Sequence, residues 1–218
     1  MLTLQLIKTT PRQAAIDILA CSGCLVIFGL LISWPVPVKW AGGIPLLIAG
    51  YFISRNITIT YNRTTFNLTR PANQRLLLYC FSAVWLGLAG SFYYRVSFSL
   101  PLLPVYFRTF CLLAVSIGLM EELLFRGFVQ TRFQTVSPYW AIFVAALAHA
   151  SYKSALFLSP VTAGITPIWL FFSWSFLAFI LLGALRHWSG SLWPPVLVHV
   201  IFDLLVYAEN NEAPVWIW

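Results

Sequence analysis

Two adjacent glutamates, Glu121 and Glu122, interrupt an otherwise apolar run, Leu119-Met120-Glu121-Glu122-Leu123-Leu124-Phe125-Arg126. A carboxylate held in hydrocarbon costs roughly 2.5–3.5 kcal/mol at mid-helix. Two in a row, with Arg126 four residues on, must therefore face a protein interior or a wet cavity. A carboxylate there can serve as a general base. Three further ionisable residues lie inside apolar runs: His149, His199 and Asp203.

On a helix, positions i and i+4 share a face while neighbours diverge by about 100°. Glu122 and Arg126 then stack as an ion pair, and Glu121 points away from it, available for other work. His199 and Asp203 repeat the i, i+4 spacing, so the carboxylate can orient the imidazole and fix its tautomer. His149 has no acidic partner on its own helix, which makes Glu121 the expected one. Counting at ~1.5 Å per residue, Glu121 and His149 each lie roughly 16 Å from the inner end of their runs, and His199 about 8 Å. All three are expected at one depth, in one site opening toward the inner side.

The elements that must carry these groups are membrane helices. Of 218 residues, 60% are hydrophobic and only 9% charged, against about 25% charged in a soluble domain. The apolar runs fall at roughly 14–34, 40–54, 76–94, 109–131, 139–152, 167–185 and 194–208. The expected fold is all-α: a polytopic membrane bundle of about seven helices, six to eight. Its parts are motif-free helices over 1–104, a catalytic core over 105–208 and a short tail over 209–218. Trp34, Trp40, Trp140, Trp188 and Trp193 sit near run ends, as interface anchors do.

The net charge of +7 comes from basic residues scattered singly, with no basic face. That excludes nucleic acid as a partner and reports topology instead. Eight Lys and Arg (Lys8, Arg12, Arg55, Arg63, Arg70, Arg75, Arg132, Arg186) face four (Lys39, Arg95, Arg108, Lys153), which predicts the N-terminus inside. Cys21, Cys24, Cys80 and Cys111 all lie in apolar runs and are expected as packing thiols rather than disulfides. Asp17, near the start of the first run, is expected close to the interface. The polar stretch Arg55–Arg75 holds glycosylation sequons at Asn56, Asn62 and Asn67, and its alternating Ile57-Thr58-Ile59-Thr60-Tyr61 predicts a short extended or hairpin element.

The ordered set Glu121-Glu122-x-x-x-Arg126-Gly127, then His149, then His199-x-x-x-Asp203, resembles the CPBP intramembrane proteases, which include CAAX-prenyl endopeptidases and bacteriocin-processing enzymes. The resemblance covers roughly residues 105–208. One departure is local: the family's second motif is usually Phe-x-x-x-His, and position 145 here is Ala. The resemblance implies a glutamate-dependent endopeptidase of the membrane, of bacterial plasma-membrane type, without a cofactor. Its substrate would be a membrane-associated protein or peptide. Glu121 and His149 would activate water, His199 and Asp203 would support the oxyanion side, and Glu122 and Arg126 would hold the helix. In that arrangement Asp203 holds His199 as the donor. A metal-dependent version would use Glu121, His149 and His199 as ligands. The residues also admit a proton-coupled transporter, since buried Glu, His and Asp build proton relays, or a non-catalytic scaffold of the same family.

Overall fold

The computed structural model describes residues 3–6, 10–60, 74–134, 136–162 and 167–211. The sequons at Asn62 and Asn67, and the tail beyond 211, lie outside them. In chain order the elements are β1 (Thr3–Leu6), α1 (Pro11–Ile32), α2 (Val38–Ala41), α3 (Gly43–Ser54), β2 (Ile57–Thr60), α4 (Gln74–Ser97) and α5 (Phe110–Glu122). A π-helix (Leu123–Gln130) follows without a break, then α6 (Thr131–Phe133), α7 (Pro138–Ala155), α8 (Ile168–Ser189) and α9 (Trp193–Val206). Each of the seven apolar runs has become helix. Three of these helices, α1, α4 and α8, are long and apolar enough to cross a membrane.

Helix boundaries follow local chemistry. Thr10 and Ser137 each precede a proline and accept a bond from the backbone N–H three residues on, which caps α1 and α7. Gly190, at φ 65°, closes α8 in the left-handed conformation a side chain would resist. The outside of the bundle is apolar: Trp169 and Leu47 are 72% and 77% exposed. Such a surface suits lipid rather than water. The protein is a helical membrane bundle.

Of the predicted element at 57–61, Ile57–Thr60 is a strand, and its partner is not local. Strand β2 pairs antiparallel with β1, in the register Thr3↔Thr60 to Leu6↔Ile57. Asn56 is not an acceptor surface. It is buried, donates to Phe52 O at 2.7 Å and accepts from Arg132. Asp17, expected close to the interface, is also fully buried within the protein. It accepts from Gln13 (2.9 Å), Arg55 (2.9 Å) and Arg132 (3.2 Å), so the start of α1, the end of α3 and α6 are tied at one point. At the beginning of α5 the Arg108 N–H donates to Ala208 O at 2.7 Å. There Arg95 also clamps the end of α9, donating to Leu205 O (2.8 Å) and Glu209 (2.9 Å).

The packed centre lies between these two knots. Ile18, Cys21 and Leu25 of α1 meet Phe125, Phe128 and Val129 of the π-helix and Ala145 and Tyr152 of α7. On the other side of α7, Ala146 and Ala150 pack on Phe179, Leu182 and Leu185 of α8. All four cysteines are free thiols, Cys21 and Cys111 buried.

Candidate active site

The π-helix is the local feature that builds the site. Its i→i+5 bonding widens the coil directly after the glutamate pair. Six consecutive side chains, Phe125 through Gln130, are buried, so protein surrounds this segment on every side. Two of them reach carbonyls of α8 one turn apart: Arg126 donates to Phe179 O at 3.1 Å, and Gln130 to Gly183 O at 2.9 Å.

Arg126 is the hub. It pairs with Glu122 at 3.3 Å, both side chains being fully buried, as their spacing predicts. Its Nη1 also contacts His149 Nδ1. A guanidinium only donates, so His149 Nδ1 must accept and the ring proton sits on Nε2. That Nε2–H lies 3.1 Å from Glu121 Oε2, the partner the sequence led us to expect. The imidazole is held flat between two rings, Phe179 at 3.6 Å and Phe125 at 4.1 Å between centroids. Ala145, one turn before His149, is packed in the cluster that contains Phe125.

Two expectations change. Glu121 is not left without a charged partner: Lys153, one turn beyond His149 on α7, forms an ion pair with its Oε1. Helix α7 extends to Ala155, so Lys153 is a site residue rather than the loop charge its position near the run end suggests. The i, i+4 rule that paired His199 with Asp203 also links His149 to Lys153, and it could have found this residue. Second, the imidazole of His199 takes its nearest acceptor from another helix. Its Nδ1 lies 2.8 Å from Glu122 Oε1, while Asp203 Oδ2 stands 3.7 Å from Nε2, beyond hydrogen-bond reach. His199 Nε2 is 3.6 Å from Glu121 Oε2. Glu121, Glu122, His149, His199 and Asp203 thus converge from α5, α7 and α9.

Close helix contact makes this convergence possible. A Cβ on Gly118 would fall 2.5 Å from Asp203 Oδ2 and 3.1 Å from His199 Cδ2. Only a bare backbone on α5 lets α9 bring both side chains so near, the packing that small residues allow in membranes. Beside Glu121 lies a cavity of about 210 Å³, walled by Leu25 and Phe28 of α1, Leu46 of α3, Ser116 and Met120 of α5, and Tyr152 of α7. Glu121 is the one carboxylate on that wall.

Among the described residues, no group of three His, Cys, Asp or Glu side chains is arranged to hold a metal ion. The set Glu121, His149, His199 does not fit one. His149 Nε2 is committed as donor to Glu121, and Lys153 already neutralises that carboxylate.

Residues 101–205 match the family model of Rce1-like type II CAAX prenyl endopeptidases. This stretch is similar to an Rce1-like domain. No curated protein and no solved structure matches the chain. The Rce1-like match spans α5 through most of α9 and so contains every residue of the convergent cluster. The match supports, at family level, a CAAX-type intramembrane endopeptidase.

Proposed function

We propose that Glu121 is the general base of a glutamate-dependent peptide hydrolysis, on a membrane-associated protein or peptide that reaches it from the apolar cavity. The observation that carries this is the fixed tautomer of His149: its Nε2–H donates to Glu121 Oε2, and Arg126 prevents the ring from turning over. Held this way, the carboxylate is oriented in a site shielded by Phe125 and Phe179. Water gives a proton to Glu121 as its oxygen attacks the scissile carbonyl carbon. The carbonyl oxygen becomes the oxyanion of the tetrahedral adduct. When the C–N bond breaks, Glu121 returns the proton to the leaving nitrogen and is again a carboxylate.

His199 supports the oxyanion. With Nδ1–H given to Glu122, its doubly protonated form has an Nε2–H to offer, and Asp203, 3.7 Å away, balances that charge. Glu122 therefore does more than hold Arg126, because it also orients His199. The bilayer is the solvent of the bundle, the basic-residue count supports an N-terminus inside, and the reaction as written needs no cofactor.

The test is cleavage of a prenylated CAAX-type reporter peptide, followed by mass spectrometry of the products, in purified protein. Glu121→Gln should abolish product while the protein still inserts and folds, and dialysis of the wild type against chelator should leave activity intact. Normal turnover by the Gln variant removes Glu121 as base. Loss of activity on chelation with recovery on zinc overturns the metal-free mechanism.

A further inference from the structure

We propose that Lys153 is a positioning residue for Glu121: its ammonium holds one carboxylate oxygen so that the other stays on His149 and His199. This rests on the reading of Glu121 as general base. The two oxygens of Glu121 are divided. Oε1 pairs with Lys153, while Oε2 lies 3.1 Å from His149 Nε2 and 3.6 Å from His199 Nε2. With both ends of the carboxylate held, rotation about its terminal bond is blocked and one lone-pair direction is presented to an incoming water.

The charges around the site point the same way. Facing Glu121 are His149, Tyr152 and Lys153 from α7, His199 and Asp203 from α9, and Glu122 and Arg126 from its own helix. Three carboxylates, Glu121, Glu122 and Asp203, are all buried. Arg126 is engaged with Glu122 and with His149 Nδ1, which leaves Lys153 as the fixed cation at Glu121. A lysine inside an apolar bundle needs such a partner. Lys153 is placed to have one because α7 carries it one turn from His149, and its ammonium sits 5.6 Å over the Tyr152 ring.

The experiment compares Lys153→Met, which keeps length without charge, and Lys153→Arg, which keeps the charge. The readouts are the kinetics of cleavage of a farnesylated CAAX-type reporter peptide and melting in detergent. Loss of orientation at a reacting group costs on the order of 100-fold. The Met variant should therefore lose about 10- to 100-fold in kcat with KM within threefold, and the Arg variant should recover at least a tenth of the wild-type rate. A rise in KM at unchanged kcat, or an Arg variant no better than Met, sinks the positioning role. The melting cycle needs no substrate: Lys153→Met should lower the melting temperature of the wild type but not of Glu121→Gln. Equal losses in both backgrounds refute the pair itself. If the wild type cleaves no reporter, the protease reading fails and takes the positioning role with it, while the cycle still reports whether the pair forms.

Discussion

Replacing Arg126 by Met keeps most of the side-chain volume and deletes its charge. Both members of the Glu122–Arg126 pair are completely buried, so solvent cannot take over for the lost partner. Removing one member of a buried pair costs about 3–5 kcal/mol, because the other is stranded as an uncompensated charge. The loss sits at the upper end here, since His149 Nδ1 and Phe179 O lose their donor as well. For a chain of this size each kcal/mol shifts the melting temperature by about 2–4 °C, giving a fall of roughly 6–20 °C. The buried free thiols of Cys21 and Cys111 provide the assay, because a thiol-reactive fluorophore lights up as the bundle opens on heating in detergent. The double variant Glu122→Gln/Arg126→Met removes the stranded charge and should regain more than half of the loss. The reasoning is refuted if Arg126→Met melts within 1 or 2 °C of wild type, on the same conversion, or if the double variant is no more stable than the single.

Gly118→Ala should cut cleavage at least tenfold and destabilise by about 1–3 kcal/mol, as overpacking does, because its Cβ lands on Asp203 and His199. Unchanged rate and melting would mean α9 stands farther from α5. Outside the spans, Glu209 accepts from the Val105 N–H at 2.8 Å and from Arg95 at 2.9 Å, which holds its carboxyl below the usual 4.5. The unfolded chain therefore takes up this proton first on acidification, so the stabilisation is present above pH 4.5 and fades as pH falls through the lower folded value. Glu209→Gln should melt below wild type at neutral pH, and the gap should close as pH falls below 4.5 through the lower folded value. A gap independent of pH would contradict it.

The helices and most of the cluster were legible in the sequence because burying charge in an apolar run leaves few permissible arrangements. Glu122–Arg126 and Glu121–His149 follow from spacing and from elimination. Lys153 was hidden by its place near a run end, where a basic residue ordinarily marks topology. The partners of Asp17 were hidden for a similar reason: Arg55 and Arg132 are 38 and 115 residues away. The π-helix was not legible because it continues α5 without a break inside one apolar run. The pairing of β1 with β2 joins segments more than fifty residues apart, and a local alternation shows only that a strand exists.

The cluster is assembled from Glu121, His149 and His199, and the last of these arrives on α9, the last of the described helices. A chain emerging from its ribosome exposes the glutamate long before it owns the histidine at 199. Arg126 can meet Glu122 at once, but the rings that clamp His149 are complete only when α8 has docked. On the proposed mechanism, a partly inserted chain therefore cannot cut its neighbours in the membrane. The proposed hydrolytic capacity then comes late in biogenesis, and truncation anywhere before α9 should yield an inert product rather than an unregulated one.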